Sequence, residues 1–87
     1  MWSFKKRGKQ PFSGRIVKDY GIIFESTRGI IKFRYSLLVV EEDNKRKVIL
    51  KEIPTLIGLN TRYFELEKEG AQKLKEALEN ALKFLNI

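Results

Sequence analysis

The run Ile30-Ile31-Lys32-Phe33-Arg34-Tyr35-Ser36-Leu37-Leu38-Val39-Val40 alternates large apolar residues with charged or polar ones as far as Ser36. In a β-strand successive side chains point to opposite faces. Ile31, Phe33, Tyr35, Leu37 and Val39 therefore share one side, and Lys32, Arg34 and Ser36 share the other. The pattern predicts a long strand with a core side and a wet, basic side. Beyond Ser36 the run is apolar on both sides, so that end must be covered twice. A helix of the same chain and a second subunit are the two expected covers.

The neighbouring sequence extends this strand into a sheet. Glu41-Glu42-Asp43-Asn44 predicts a hairpin into Lys45–Ile53, where Pro54 ends the pairing because it lacks a backbone donor. Val48 and Leu50 continue the core side, and Lys47, Ile49 and Lys51 point outward. Upstream, Arg15–Asp19 and Ile22–Glu25 read as strands separated by a turn at Tyr20-Gly21, with Thr27-Arg28-Gly29 as the next turn. Thr61–Leu66 reads as a short last strand. From Glu67 to Asn86 apolar residues recur at three- and four-residue steps (Ala71, Leu74, Leu78, Ala81, Leu82, Leu85), which predicts an amphipathic helix. The expected fold is α+β: a curved antiparallel sheet of four to five strands (about 15–66) followed by one long C-terminal helix (about 67–86), dimerised. Residues 14–87 form a single domain behind a basic arm at 1–13.

Charge is distributed unevenly along the chain. Up to residue 34, Lys5, Lys6, Arg7, Lys9, Arg15, Lys18, Arg28, Lys32 and Arg34 stand against only Asp19 and Glu25, which accounts for the whole formal charge of +7. From Tyr35 onward basic and acidic residues balance. An excess concentrated at one end is an electrostatic footprint for a polyanion, and nucleic acid is the first expectation. The expected contacts are Lys5, Lys6, Arg7 and Lys9 in the arm and Arg15, Lys18, Arg28, Lys32, Arg34, Lys47 and Lys51 in the sheet. Trp2 and Phe4, which interrupt the basic arm, are candidate stacking groups.

Composition narrows the chemistry. The chain has 87 residues, 43% of them apolar, with no cysteine and no histidine. Disulfides, thiolate metal sites and the commonest general base are thereby excluded. No phosphate-binding glycine loop occurs, and Asp19 and Glu25 show no recognisable metal-ligand spacing. Neither an enzyme, a cofactor, a metal nor a small-molecule substrate is expected. No apolar run is long enough to span a bilayer, and no secretory signal follows the basic arm. The expected location is intracellular, cytoplasmic or nucleoid-associated. Heavy use of Lys, Glu and Ile is compatible with a thermophilic source.

Apolar Leu56, Ile57 and Leu59 sit in a segment punctuated by Gly58 and Asn60. Two readings are open: a dimer contact shared with Leu78, Leu82 and Leu85 of the helix, or a cap on the monomer's own core. The helix charges cancel, which argues against a DNA-recognition helix.

The order of elements, with the passage Arg62-Tyr63-Phe64-Glu65-Leu66-Glu67-Lys68-Glu69 from last strand into helix, resembles the single-stranded-DNA-binding domain of the positive-cofactor-four coactivators. Pur-alpha repeats and plant Whirly proteins share that plan. The resemblance covers roughly 14–85. The family's Leu, Ser or Thr, Pro, Glu helix entry is reduced here to Leu66 and Glu69. It implies a homodimer whose helices back two curved sheets, with the strands binding unpaired DNA or RNA. Arg15, Lys18, Lys32, Arg34, Lys47 and Lys51 would then lie on the binding face, with Tyr20 or Tyr63 stacking on bases. Such a protein would be an accessory to transcription, replication or repair, with little sequence specificity. The alternatives are a protein-assembly module using the 56–59 segment and the helix, and a duplex or structured-RNA binder that places the arm in a groove.

Overall fold

In the computed structural model, which describes residues 12–85, the alternating run forms the middle of strand β2 (Ile31–Glu42). It lies between β1 (Arg15–Arg28) and β3 (Lys45–Pro54), and β4 (Arg62–Glu67) borders β3. All neighbours are antiparallel, giving a meander in the order β1-β2-β3-β4. Helix α1 (Lys68–Leu85) follows β4 directly. The fold is α+β, as the patterning predicted, with four strands.

Local chemistry explains the turns. Asp43 and Asn44 both adopt left-handed backbone, with φ of 54° and 65°, which matches the right-handed twist of the flanking strands in a two-residue hairpin. Glu41 and Glu42, expected in that turn, instead pair with Arg46 and Lys45 in the ladder.

Strand β1 corrects the sequence reading most clearly. No turn forms at Tyr20-Gly21; β1 runs unbroken for 14 residues. The turn-forming residues produce a bulge instead: Asp19 Oδ1 accepts a 2.8 Å hydrogen bond from the Gly21 amide, and the ladder skips a residue between them. Further skips fall between Ile16 and Lys18 and between Ile22 and Phe24.

The core also lies where the alternation did not place it. Ser36, Leu38, Val40 and Ile49 are buried, and all four point to the side read as wet and basic. Their cover is Phe12, only 8% exposed, which packs in this cluster and against Tyr63 with ring centroids 5.9 Å apart. Phe12, placed in the arm by the sequence reading, thus belongs to the core. Gly14 makes the approach feasible: its φ is +101°, and a Cβ there would stand 2.5 Å from the Glu41 carbonyl oxygen. We call this side the Phe12 face.

On the opposite, helix-side face, Phe33, Tyr35, Leu37, Val39, Val48 and Leu50 are only half-buried. The expected core side is thus incompletely covered, because α1 meets the sheet only near its start. There Ala71, Gln72 and Lys75 border a cleft with Val39, Val48 and Leu66. No residue of α1 is buried, and Leu74, Leu78, Leu82 and Leu85 are all exposed. The molecule is thin, with extents of 52 × 40 × 16 Å.

Candidate nucleic-acid interface

The sheet sorts the expected cations onto two faces. Register puts Lys32, Arg34, Lys47 and Lys51 together on the Phe12 face, as alternation predicted. Arg15, Lys18 and Arg28 pair opposite Glu41, Val39 and Ile31, which places them on the helix-side face. Lys5, Lys6, Arg7, Lys9, Trp2 and Phe4 lie outside the described residues.

On the Phe12 face positive charge is met by negative charge. Glu25 takes both Arg34, at 3.1 Å, and Lys32, at 3.6 Å. Lys47 lies 2.9 Å from Glu65 and 3.7 Å from Glu42, and the hydrogen bond it donates to Glu65 raises the Lys47 pKa above the ordinary lysine value. Lys51 has no ion pair among the described residues. Counting by register, Lys32, Arg34, Lys45, Lys47 and Lys51 face Asp19, Glu25, Glu42, Glu65 and Glu67, so the face is neutral. Tyr63 is half-buried here against Phe12.

The helix-side face is different. Arg15, Lys18, Arg28, Arg46 and Arg62 share it with only Glu41 and Glu52. Glu41 takes Arg15 at 2.6 Å and lies 3.7 Å from Arg46, towards the helix end. Lys18 lies 5.5 Å from the centroid of the Tyr20 ring, which is itself exposed on the edge strand. Aromatic rings are dense towards the other end. Phe24 stacks on Tyr35 with centroids 4.5 Å apart and planes 16° from parallel. The Arg28 guanidinium sits 4.0 Å from the Phe33 centroid, and that of Arg62 sits 5.4 Å from Phe64. Cations placed over ring faces in this way gain from the ring quadrupole.

Glu52 organises this end. Its side chain is only 8% exposed, so an ionised carboxylate there needs strong partners. Oε2 accepts from Tyr35 Oη at 2.7 Å and from Arg28 Nη2 at 2.8 Å, and Oε1 lies 3.6 Å from Arg62 Nη1. The Tyr35 bond, aided by Arg28, holds the Glu52 carboxyl below the usual carboxylate range against the opposing effect of burial. The same bond pushes the Tyr35 phenol up.

Sequence reasoning singled out Arg28 but not Glu52, Tyr35 or Arg62 as site residues. One signal was present: Val48, Leu50 and Glu52 fall on one side of β3, so a carboxylate continues an apolar row.

The apolar candidates separate as well. Leu56, Ile57 and Leu59 are exposed in the loop before β4, whereas α1, with Leu78, Leu82 and Leu85, leaves from the other end of that strand. The loop is tied down by Thr55, whose amide and hydroxyl both donate to the Lys32 carbonyl at 3.0 Å.

Among the described residues no cluster of acidic side chains is arranged to hold a metal ion, and no helix is long and apolar enough to cross a membrane. Against known proteins, no family model, no curated protein and no solved structure matches the chain.

Proposed function

We propose that the protein binds single-stranded nucleic acid with little sequence preference. The observation that carries this reading is the helix-side face, where five basic residues and only two acidic ones share a thin sheet with partly exposed aromatic rings. Cations attract the phosphate backbone, and ring faces accept unpaired bases of any sequence. A duplex hides its base faces, so single strands gain a term that duplexes lack. Lys5, Lys6, Arg7 and Lys9 add four charges for long-range capture. The neutral Phe12 face contributes less, because Lys32, Arg34 and Lys47 are engaged by Glu25, Glu42 and Glu65.

A second copy of the chain is the proposed cover for α1. The helix itself supports this occupant: Leu74, Leu78, Leu82 and Leu85 form an exposed stripe that the chain's own sheet does not cover. Two such helices packed antiparallel about a two-fold axis bury both leucine stripes. The aromatic end of the sheet, remote from α1, stays open to a strand in that dimer.

The reading is tested by fluorescence anisotropy with labelled single-stranded DNA, duplex DNA and RNA of matching sequence across a salt series. The expected result is tighter binding of the single strands, with log affinity falling against log salt by about 0.7 per phosphate neutralised. Equal and shallow binding of all three would overturn it, and would favour a protein-assembly module using the apolar loop and helix. Loss of all binding on removal of residues 1–10 would favour a groove binder that relies on the arm.

A further inference from the structure

We infer that Arg28 and Arg62 form a clamp for one phosphodiester of the bound strand and that Glu52 is the positioning residue that holds them. This rests on the single-strand reading above and adds a site to it.

Topology supplies the first argument. Arg28 belongs to β1 and Arg62 to β4, the two opposite edges of the sheet, yet both guanidiniums turn towards one carboxylate on β3. The second argument is the asymmetry of burial. Glu52 is 8% exposed, whereas the side chains of Arg28 and Arg62 are 56% and 66% exposed. The carboxylate is used up inside the protein while the guanidiniums still face solvent. A guanidinium has five N–H donors. Arg28 directs only Nη2 inward, to Glu52 and to Tyr35 Oη at 3.3 Å, which leaves donors for a second anion. Orientation is the third argument: Phe33 and Phe64 lie under the two guanidiniums and limit their rotation. A planar fork held at a fixed angle suits phosphate oxygens better than a freely rotating ammonium does. Two guanidiniums and one carboxylate leave a net positive patch beside the stacked Phe24 and Tyr35, where the neighbouring base has a surface to meet.

A purely structural ion pair and a clamp predict opposite effects of one substitution. Glu52→Gln raises the net charge by one, so general electrostatic attraction would tighten binding of a polyanion. Loss of the positioning carboxylate would instead release both arginines and weaken it. The experiment is anisotropy of labelled oligodeoxythymidine on the full chain and on the variants Glu52→Gln, Arg62→Gln and Arg46→Gln, each checked for folding by thermal melting. Arg46 is the matched control, an arginine on the same face paired with Glu41 near the helix.

Glu52→Gln is expected to weaken binding about tenfold, and Arg62→Gln by a similar factor with a salt slope smaller by about 0.7. Arg46→Gln, which removes the same charge from the same face but outside the clamp, should weaken binding by only about twofold. If Glu52→Gln does not fold, the Arg62 and Arg46 pair decides by itself, since neither side chain is buried. Unchanged or tighter binding by folded Glu52→Gln, or equal behaviour of the two arginine variants, overturns the clamp and leaves the single-strand reading standing. Failure of the parent chain to bind the strand overturns both.

Discussion

Tyr35 donates a 2.7 Å hydrogen bond to Glu52 from the position directly opposite it on the neighbouring strand. The bond favours the ionised carboxylate, so the folded chain holds Glu52 below its ordinary value of 4.5. A group depressed in this way stabilises the fold fully above its unfolded pKa, and the contribution is lost as pH falls through the lower, folded value. Tyr35→Phe should therefore lower the urea midpoint at neutral pH while keeping the stack on Phe24. The gap between parent and variant should narrow as the pH is taken below about 4.5. Urea unfolding at several pH values checks this; a gap that stays constant into acid would remove the ionised Glu52 from the account.

Phe12 is the only cover of the buried cluster that comes from outside the sheet among the described residues. Phe12→Ala should destabilise the fold by about 3 kcal/mol, the lower end for loss of a buried aromatic ring. Gly14→Ala should act in the same direction by about 2 kcal/mol, since the added methyl meets the Glu41 carbonyl in a backbone region that alanine avoids. Chemical denaturation of both variants measures these losses.

Ser36 is buried, and its Oγ has no hydrogen-bond partner among the described residues. A buried hydroxyl without a partner is destabilising relative to an apolar group of similar size. Ser36→Ala should be neutral or more stable by up to about 1 kcal/mol. A clear loss of stability would mean that the hydroxyl has a partner.

The leucine stripe of α1 is predicted to be the seam between two copies. Leu78→Glu should raise the dissociation constant of the dimer at least about tenfold, since it sets a carboxylate in the middle of an apolar contact. Sedimentation velocity over a concentration range reads the shift from two chains to one. A parent chain of single-chain mass at every concentration would refute the seam.

Legibility in the sequence followed periodicity. Strands β2 and β3 alternate with a period of two and α1 repeats near 3.6, so their positions were readable to within about two residues. In β1 the bulges bring Ile16, Asp19 and Ile22 to one face and Arg15, Lys18, Gly21 and Phe24 to the other. That three-residue spacing suits neither template, and the strand was read as two. The shared face of Lys32, Arg34, Lys47 and Lys51 followed from alternation alone. Its neutralisation by Glu25 and Glu65 did not, because it depends on the register of β1 and β4 against the central pair. The Glu52 cluster was hidden for the same reason: it joins all four strands, and Arg28 reaches it across β2.

The skipped residues of β1 also limit how chains can associate. An open strand edge is a row of unpaired amide and carbonyl groups on which another strand can add. Along β1 that row is broken every three residues between Ile16 and Phe24, so an incoming strand loses register almost as soon as it gains it. The opposite edge, β4, is six residues long and turns directly into α1. Both borders are thus poor templates, and sideways growth into extended ladders or fibrils is disfavoured despite the long apolar strands. Any contact between copies is thereby left to helices and faces rather than to strand edges.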